Sequence, residues 1–294
     1  MSVVECLTKL GGVSTRETLV GLTSRADVDR ALANGDIVAL ARGRYALPTA
    51  AEALKEAHRL VGTVSHYSAA LHWGWEVKTP PDQPHLILPR NRKLPSERAS
   101  GVNVHRADLT VDDVDGLVTS PDRTLNDCLR DGEWDEALAV ADSALRHGFP
   151  AQRLQALARD ARGPGSRQMR RVAGEARPEA ANPFESTLRA IALDVAGLSV
   201  RPQVPIWGDQ FLGRPDLVDE DLRIILEADS FEWHGGRSAL RADARRYNAF
   251  VIHGWLVLRF AWEDVMFDGP YVAAVLRTAA AGRTKCCFCT CGAA

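Results

Sequence analysis

The sequence lacks the features that would assign the chain to a membrane, secreted or uniformly basic class. No apolar run approaches the roughly 18 residues that a membrane-spanning helix needs. The first residues, MSVVECLTKLGG, lack the charged and then apolar form of a signal peptide. Neither charge sign dominates, because 36 Lys and Arg stand against 38 Asp and Glu and the net charge is −2. We therefore expect a cytoplasmic protein, in which a local basic face is compatible with the balanced total.

Cysteines that could form a disulfide framework are also missing. Cys6 and Cys128 stand alone, and the other four of the six cysteines lie together in KCCFCTCGAA at the end of the chain. This tail could bind a soft metal, but its spacing differs from the paired C-x-x-C knuckles of zinc sites. We interpret residues 281–294 as a mobile Cys-rich tail, because chain ends are commonly poorly ordered.

The composition is that of a soluble globular protein, with 46% hydrophobic and 25% charged residues among 294. A chain of this length is expected to form two or three domains. The alternation of helical and strand-like patterns predicts an α+β multidomain fold. We divide it into a helical unit with a hairpin (1–50), a mixed α/β middle region (51–160), a linker (161–181) and a C-terminal α/β domain (182–280).

Residues 1–50 carry the pattern of two capped helices followed by a hairpin. The segments GVSTRETL and SRADVD each place a serine three residues before an acidic residue, which predicts helix starts at Ser14 and Ser24. The second helix should stop at Asn34-Gly35, and DIVALARGRYALP predicts two short strands with arginines at their turn. This is the element order of a winged helix-turn-helix.

In a winged helix-turn-helix, the second helix of the pair enters the major groove and the hairpin lies beside the DNA backbone. The helix would present Arg25 and Arg30 to bases or phosphates, and the hairpin would present Arg42 and Arg44. Winged helices also serve as protein-interaction modules. We favour DNA binding because the four arginines stand at the expected places.

The middle region and the linker are less informative. Helical patterns such as HYSAALHWG and EWDEALAVADSALRHG alternate with the strand candidates HLILP and GVNVHRA. Its histidines show no ligand spacing, and we interpret them as partly buried or surface side chains: His58, His66, His72 and His85. The stretch RDARGPGSRQMRRVAGEAR is interpreted as a solvated linker, with a basic strap on phosphates as the alternative.

Acidic residues concentrate in the C-terminal domain. Asn182 and Pro183 predict a helix start, and Glu185 in the first turn is explained by the helix N-terminus alone. In GRPDLVDEDLRIILEAD, Glu227 and Asp229 share one face of a strand and Asp216 lies on its neighbour. Two carboxylates about 4 Å apart repel by roughly 4 kcal/mol at the effective dielectric of a protein surface, so we expect a cation among them.

A helix, SALRADARRYNAFVIHG, and a strand, WLVLRFAW, follow before a C-terminal helix. Arg241, Arg245 and Asn248 on this helix could hold a nucleic-acid strand, or could form a solvated helix face. The resulting order is helix, three strands, helix, strand and helix.

That order, with the D…E-x-D pattern, resembles the PD-(D/E)XK (restriction-endonuclease-like) nuclease fold. The segments NPFESTLR, GRPDLVDEDLRIILEADSFEWH and RRYNAFVIHGWLVLRF resemble a nuclease-related domain of unknown function similar to very-short-patch-repair (Vsr) endonucleases. Upstream, GGVSTRETL with NGDIVALARGRYAL resembles the winged-helix region of AbiEi-type antitoxins. HYSAALHWGW, GVNVHRADL and TSPDRTLNDCLR are similar to the region that accompanies it.

The resemblance implies Mg²⁺- or Mn²⁺-dependent phosphodiester cleavage by an α/β/α core. Asp216, Glu227 and Asp229 would hold the metal, with Glu185 as an outer or second-metal ligand. Asp229 stands where the usual motif has lysine, and the chain has no lysine between positions 93 and 285. In the Vsr-like branch an acidic residue and a downstream histidine replace that lysine. Asp229 and His234 fit this variation, with His234 as general base or ligand to the activated water.

Three functions remain open at this point. The first is a DNA endonuclease delivered to duplex DNA by the winged helix. The second is a transcriptional regulator or antitoxin of a type IV-like toxin-antitoxin system, which keeps an inactive nuclease fold and pairs with a cognate toxin. The third is a nuclease acting on RNA. We favour the first because Asp216 and Glu227 are both present. Winged-helix repressors commonly form homodimers, but the sequence shows no heptad or other interface pattern.

Overall fold

The computed structural model describes residues 2–229 and 237–289 and shows a mixed α/β protein with several separate sheets, in agreement with the predicted α+β class. The chain divides into two compact units. The first unit comprises Met1–Trp75 and Thr79–Cys128, and the second comprises Glu76–Lys78 and Leu129–Ala294. In the described part of the chain, no helix has the length and apolarity needed to cross a membrane.

The first unit begins with three helices and a three-stranded antiparallel sheet of order β1-β3-β2. Its buried core includes Leu7, Leu19, Val28 and Ile37. The elements in chain order are α1 (Val3–Lys9), β1 (Val13–Thr15), α2 (Arg16–Leu22), α3 (Arg25–Asn34), β2 (Val38–Ala41) and β3 (Arg44–Ala46).

One of the two predicted helix starts is confirmed and the other is wrong by one residue. The Ser24 side chain accepts the Asp27 N–H, and α3 ends at Gly35 with φ of +77°, as the sequence predicted. For α2 the capping residue is Thr15, whose side chain accepts the Thr18 N–H. Ser14 is unavailable because it belongs to β1 and pairs with Tyr45 of β3.

The rest of the first unit surrounds a five-stranded sheet of order β6-β5-β4-β8-β7, in which β5 and β6 run parallel. A buried core that includes Leu60, Val64, Leu86 and Leu88 packs between helix and sheet. The elements are α4 (Glu52–Leu60), β4 (Thr63–Val64), α5 (His66–His72), β5 (His85–Leu88), α6 (Ser96–Ala99), β6 (Asn103–Arg106), a 3-10 helix (Val111–Asp113), β7 (Val114–Asp115), β8 (Val118–Thr119) and α7 (Pro121–Asp131).

The predicted boundary at residue 50 does not separate two compact units. His58 on α4 is buried, and its Nε2 atom lies 2.7 Å from the carbonyl oxygen of Ser14 in β1. The guanidinium of Arg44 in β3 lies 3.4 Å from the Nδ1 atom of the same ring. These polar contacts join the first fifty residues to the segment that follows, so both belong to the first unit.

The described residues of the second unit form four helices, a group of short strands and three further helices. Its elements are α8 (Trp134–Arg146), α9 (Ala151–Asp160), α10 (Ser166–Glu175), α11 (Pro183–Leu193), β9 (Arg201–Pro202), β10 (Ile206–Trp207), β11 (Phe211–Gly213), β12 (Leu217–Asp219), β13 (Ile224–Asp229), α12 (Arg237–Ile252), β14 (Leu256–Ala261), α13 (Trp262–Phe267) and α14 (Gly269–Cys289). The main sheet has the order β14-β13-β12-β9, and β10 pairs with β11 in a separate hairpin. Strands β13 and β14 are parallel, and the other pairs in the main sheet are antiparallel.

The segment predicted as a solvated linker, residues 161–181, forms part of the second unit. It contains α10, which buries Met169, Val172 and Ala173. The predicted middle region also divides earlier than expected, because α8 and α9 belong to the second unit. The glycines and arginines of the segment suggested a boundary, but the apolar positions three and four residues apart form a buried helix face.

The main sheet of the second unit is buried on both faces. Leu217, Ile224 and Leu226 pack with side chains of α11, α13 and α14. Val218 and Ile225 on the opposite face pack with Phe250 of α12. This alternation explains why RIILEAD reads as a continuous apolar run before its acidic end.

Two helix ends bear on the sequence predictions for the second unit. The Asn182 side chain caps α11 by accepting the Glu185 N–H, and Pro183 occupies the first helical position, as predicted. At the other end of the unit, α14 extends to Cys289, into the segment predicted as a mobile tail from residue 281. Residues 290–294 lie outside the described part of the chain.

Candidate functional site

Two acidic side chains stand opposite each other at the end of β12 and β13. Leu217 pairs with Leu226 in the antiparallel register, so the next pair outward is Asp216 and Glu227. Directly opposed residues have Cβ atoms about 4.5–5.5 Å apart. The Oδ2 atom of Asp216 accepts the Ala228 N–H at 2.9 Å, which holds this carboxylate against β13.

The electrostatics of this pair oppose full ionisation. Glu227 is buried, and burial raises its pKa to about 7, helped by the charge of Asp216 and opposed by the guanidinium of Arg246. Burial also raises the pKa of Asp216. The Nη1 atom of Arg246 lies 3.3 Å from Oε1 of Glu227, yet that buried oxygen makes no hydrogen bond among the described residues. When both carboxyls are ionised, their two negative charges face the single positive charge of Arg246. A metal cation could balance the remaining negative charge.

Glu185 lies next to this pair, at the first turn of α11. Its Oε2 atom accepts the Ala181 N–H at 3.0 Å and the Gln203 side-chain amide at 3.2 Å. The same amide lies 3.4 Å from Oδ1 of Asp216, so Gln203 bridges the two carboxylates. Burial raises the pKa of Glu185, and the charge of Asp216 raises it further. We refer to Glu185, Asp216 and Glu227 as the acidic cluster.

The structure does not bring Asp229 into a metal-ligand group with the acidic cluster. Its Oδ2 atom pairs with the guanidinium of Arg259 on β14. The two residues line a surface pocket together with Glu263 and Asp264. Strand alternation gives Asp229 the same face as Glu227, but the neighbouring strand supplies an arginine that neutralises it. His234 lies outside the described residues.

Sequence reasoning gave no site role to two side chains that contact the acidic cluster. Arg246 reaches Glu227 from α12, and Gln203 bridges two carboxylates from the segment after β9. Helical spacing carried a signal for Arg246, because it stands four residues before the buried Phe250 and so shares its face. Gln203 has no such signal, since it lies outside a strand, between β9 and β10, with a φ of +55°.

Arg246 belongs to a stack that also includes the partner of Asp229. Its guanidinium lies 4.9 Å from the centroid of the Tyr247 ring, and that of Arg259 lies 4.5 Å from the same centroid. Cation–π contacts at these distances stabilise the arginines beside the ring. The Tyr247 ring thus contacts two arginines. One of them, Arg246, pairs with Glu227, and the other, Arg259, pairs with Asp229.

The residues predicted to contact nucleic acid differ in their availability. On α12, Arg241, Arg245 and Asn248 are exposed and spaced four and three residues apart, which places them on one helix face. In the first unit Arg25 and Arg42 are exposed.

The other two predicted arginines of the first unit have partners within it. Arg30 is exposed, but its Nη1 atom lies 2.9 Å from a carboxylate oxygen of Asp27. Arg44 is half-buried and reaches His58. These two side chains are therefore less available to a phosphate than Arg25 and Arg42.

The first unit holds a group of three histidines that the sequence did not reveal. The described residues contain one set of three or more His, Cys, Asp or Glu side chains whose ligand atoms all lie within 4.8 Å of one another: His66, His85 and His105. Burial, together with the charge of His66, lowers the pKa of His85 to about 4. We refer to these residues as the histidine cluster.

Comparison with known proteins links the chain to mycobacterial relatives. No protein-family model matches it. Two uncharacterized proteins from strains of Mycobacterium tuberculosis, MT2308 and Rv2248, are each 28% identical over 195 residues, or 65% of this chain and 71% of theirs. Among solved structures, the RV2827C protein from Mycobacterium tuberculosis covers 70% of this chain and 87% of its own, with a TM-score of 0.36 and 19% identity. The names of these proteins state no activity.

Proposed function

We propose that the chain is a DNA-binding protein whose second unit hydrolyses phosphodiester bonds with a divalent cation. The observation that carries this proposal is the opposed pair Asp216 and Glu227. The pair is buried enough to raise both pKa values, and Oε1 of Glu227 is a buried oxygen without a hydrogen bond among the described residues. Such an arrangement of perturbed carboxylates is typical of functional sites.

The donor set fits Mg²⁺ or Mn²⁺, which prefer carboxylate oxygens. Asp216 and Glu227 would hold the ion, with Glu185 as an outer ligand. Bound there, the ion would polarise a phosphate oxygen and activate a water. Gln203 positions Glu185 against Asp216, and Arg246 offsets the charge of Glu227. In this proposal His234 serves as general base and Asp229, held by Arg259, is a third ligand only if that ion pair opens.

The exposed face of α12 supports a role in holding the substrate. Arg241, Arg245 and Asn248 follow one another on it, and arginines bind phosphate oxygens through paired N–H groups. Arg246 is turned from this face towards Glu227, so adjacent arginines in the sequence have different tasks.

DNA binding by the first unit is supported by its element order. Helix, strand, two helices and a two-stranded hairpin follow one another in residues 3–46, with β1 completing the sheet. This is the order of a winged helix-turn-helix, in which α3 would enter the major groove and the β2–β3 hairpin would form the wing. Arg25 and Arg42 are exposed on these two elements. The proposal keeps the resemblance to AbiEi-type antitoxins in this unit and to Vsr-like nucleases in the second.

A second candidate function is a transcriptional regulator or antitoxin with a non-catalytic nuclease fold. The observation that favours it is the ion pair between Arg246 and Glu227. A guanidinium beside the buried carboxylate supplies part of the positive charge that a metal would otherwise supply. In this alternative the second unit would bind a cognate toxin or form a homodimer and would not catalyse a reaction.

Plasmid cleavage separates the two candidates. Supercoiled DNA is incubated with wild-type protein, Glu227→Gln and Glu220→Gln in Mg²⁺, Mn²⁺ or EDTA. Glu220 is a matched control because it is an exposed carboxylate in the turn between the same two strands, paired with Arg201. We expect metal-dependent nicking that falls by about 100-fold or more in Glu227→Gln, since metal ions supply several kcal/mol to such reactions. Glu220→Gln should cleave like the wild type.

Two outcomes would contradict the nuclease proposal. Cleavage that persists in Glu227→Gln would move the chemistry away from the acidic cluster. Tight binding to one DNA palindrome without cleavage in either metal would support the regulator instead.

A further inference from the structure

Three histidines of the first unit come together from one helix and two adjacent strands. His66 is the first residue of α5, His85 is the first residue of β5, and His105 lies on β6. In the parallel register His85 pairs with Asn103, two residues before His105, so the three strand residues share one face of the sheet. His66 is buried, and His85 and His105 are half-buried.

One distance within this cluster is close to that between two ligands of one small ion. Nδ1 of His85 lies 3.0 Å from Nε2 of His105. Two nitrogens bound to one tetrahedral zinc at 2.0–2.1 Å lie about 3.3 Å apart. The ligand atoms of all three residues fall within 4.8 Å of one another. The His66 and His105 rings stack with 3.6 Å between centroids and 17° between planes, so one of them must turn out of the stack before both lone pairs can point at one ion.

The backbone at His66 is unusual. Its φ of +49° lies in the left-handed region, which side chains other than glycine rarely adopt. The Ser65 hydroxyl lies 2.9 Å from Nδ1 of His66. If the hydroxyl accepts the Nδ1 proton, the His66 ring is the tautomer whose lone pair lies on Nε2. Strained backbone of this kind persists where the surroundings fix it, and it concentrates at binding sites.

A second polar neighbour fixes the ring of His85. The Asn103 side chain lies 3.2 Å from its Nε2 atom. Turning the amide by 180° exchanges its nitrogen and oxygen, so the Asn103 oxygen can accept an Nε2 proton. His85 would then present the Nδ1 lone pair to the same point as Nε2 of His105. Histidines that bind metals almost always donate their other ring proton in this way.

From this geometry we propose that His66, His85 and His105 form a binding site for one divalent transition metal of the zinc class. Imidazole nitrogens suit Zn²⁺ and its neighbours, whereas Mg²⁺ prefers oxygen. Three histidines with a solvent-facing side leave the fourth position to water. The site is independent of the proposed nuclease chemistry, because it lies in the first unit and its donors are nitrogens.

Metal titration of the full chain tests this site. Protein freed of metal by chelator is titrated with Zn²⁺, and with Co²⁺ as a coloured probe, and bound metal is counted per chain. The tail cysteines could also bind zinc, so all variants are compared in a chain with Cys286, Cys287, Cys289 and Cys291 replaced by serine. We expect one Zn²⁺ per chain and a visible Co²⁺ spectrum typical of nitrogen and oxygen ligands.

Four substitutions make the result specific to the cluster. His105→Ala should remove the bound ion, and His72→Ala should not, because His72 is an exposed histidine at the other end of α5. Asn103 is exposed, so Asn103→Leu should fold normally. It should weaken Zn²⁺ binding by about 10- to 100-fold, as loss of an outer hydrogen-bond partner does. Asn103→Asp should restore binding, because its carboxylate can accept the same proton.

The proposal is overturned if the wild-type chain binds no more Zn²⁺ than His105→Ala. It is also overturned if Asn103→Leu binds Zn²⁺ as tightly as the wild type, which would show that the ion is bound without the His85 ring that Asn103 orients. The second result does not depend on how well His105→Ala folds.

Discussion

The acidic cluster of the second unit and the histidine cluster of the first unit differ in how burial changes their charge. Burial raises the pKa of Glu227 to about 7 and lowers that of His85 to about 4. In both cases burial favours the neutral form. A neutral carboxyl must lose its proton before it binds a cation, whereas a neutral imidazole is already a ligand. Burial therefore makes the acidic cluster compete with protons for its metal near neutral pH, and it prepares the histidine cluster to bind.

The two clusters also differ in what holds them. The histidine cluster depends on strand register, but the acidic cluster depends on a buried ion pair beneath α11. Arg189 donates to both carboxylate oxygens of Asp142 on α8, at 2.6 and 2.7 Å, and both side chains are buried. The Ser186 hydroxyl donates to the same carboxylate at 2.7 Å. These contacts fix the helix whose first turn carries Glu185.

The largest expected effect comes from breaking this ion pair. Arg189→Met should lower the free energy of unfolding by about 3–5 kcal/mol, because it leaves Asp142 buried without its charge partner. Denaturant unfolding measures the change. Arg201→Met is the control, since Arg201 pairs with Glu220 at an exposed position and its loss should cost about 0–1 kcal/mol. Equal losses in the two variants would show that α8 does not hold α11 through Asp142.

The next effect is the pH dependence of Glu227 in chelator. Below its ordinary pKa of 4.5 this carboxyl is protonated in both the folded and unfolded states. Between pH 4.5 and about 7 the unfolded state ionises first, so stability should fall as pH rises through this window. Each pKa unit corresponds to about 1.4 kcal/mol, so the free energy of unfolding should fall by about 3 kcal/mol across this window. This loss belongs to the interacting pair of Glu227 and Asp216 and not to Glu227 alone. Glu227→Gln should flatten the profile, measured by urea unfolding from pH 4 to pH 8.

Mg²⁺ sharpens the same measurement. At pH 8 it should restore stability to the wild type and leave Glu227→Gln unchanged, because only the ionised carboxylate binds the ion. If Mg²⁺ does not change the stability of the wild type at pH 8, the regulator is favoured. In that alternative Arg246 alone balances the negative charge of Glu227.

A smaller effect of opposite sign is expected at His85. Its pKa is lowered from 6.5 to about 4, so the unfolded state takes up the proton first on acidification. Stability should be fully present above pH 6.5 and fall as the pH drops towards 4. The half-buried ring makes the loss smaller than that at Glu227. His85→Gln should remove this acid-side slope, and His72→Gln, an exposed histidine on α5, should keep it. If His85→Gln and His72→Gln show the same dependence of stability on pH, burial of His85 does not produce the acid-side slope. The histidine and acidic clusters would then not differ in the way that their pKa values indicate.

The sequence predicted the acidic pair because its signal is local. Asp216 and Glu227 belong to the two arms of one hairpin, and its antiparallel register brings them opposite each other. The caps at Ser24 and Asn182 were predictable for the same reason, since each needs only three residues of sequence. The ion pair of Asp229 could not be predicted in this way, because its partner Arg259 comes from the parallel strand β14, beyond a whole helix.

The histidine cluster could not be predicted because nothing local links its members. His66, His85 and His105 lie about twenty residues apart, and only the parallel pairing of β5 with β6 brings the last two together. The linker was misjudged differently: its glycines and arginines were visible, but the apolar face of α10 counts only when α8 and α9 are known to pack against it. Local chemistry was thus easier to predict than contacts between elements.

The smallest expected effect concerns DNA affinity, and it tests whether the two units have separate tasks. Arg25→Ala and Arg42→Ala should each weaken binding to duplex DNA severalfold and reduce the slope of log affinity against log salt by roughly one unit, as loss of one phosphate contact does. Arg30→Ala should change both quantities less, because Arg30 already pairs with Asp27. Fluorescence anisotropy at several salt concentrations gives affinity and slope together.

The same variants decide where DNA is held. Arg25→Ala and Arg42→Ala should keep the Mg²⁺ effect on stability at pH 8, since Glu227 is in the other unit. If instead Arg241→Ala and Arg245→Ala reduce the salt slope and the first-unit variants do not, the exposed face of α12 carries the DNA. The second unit would then combine binding with chemistry, and α3 would be a protein-interaction surface, because a helix with two arginines and two aspartates has no net charge to attract phosphate.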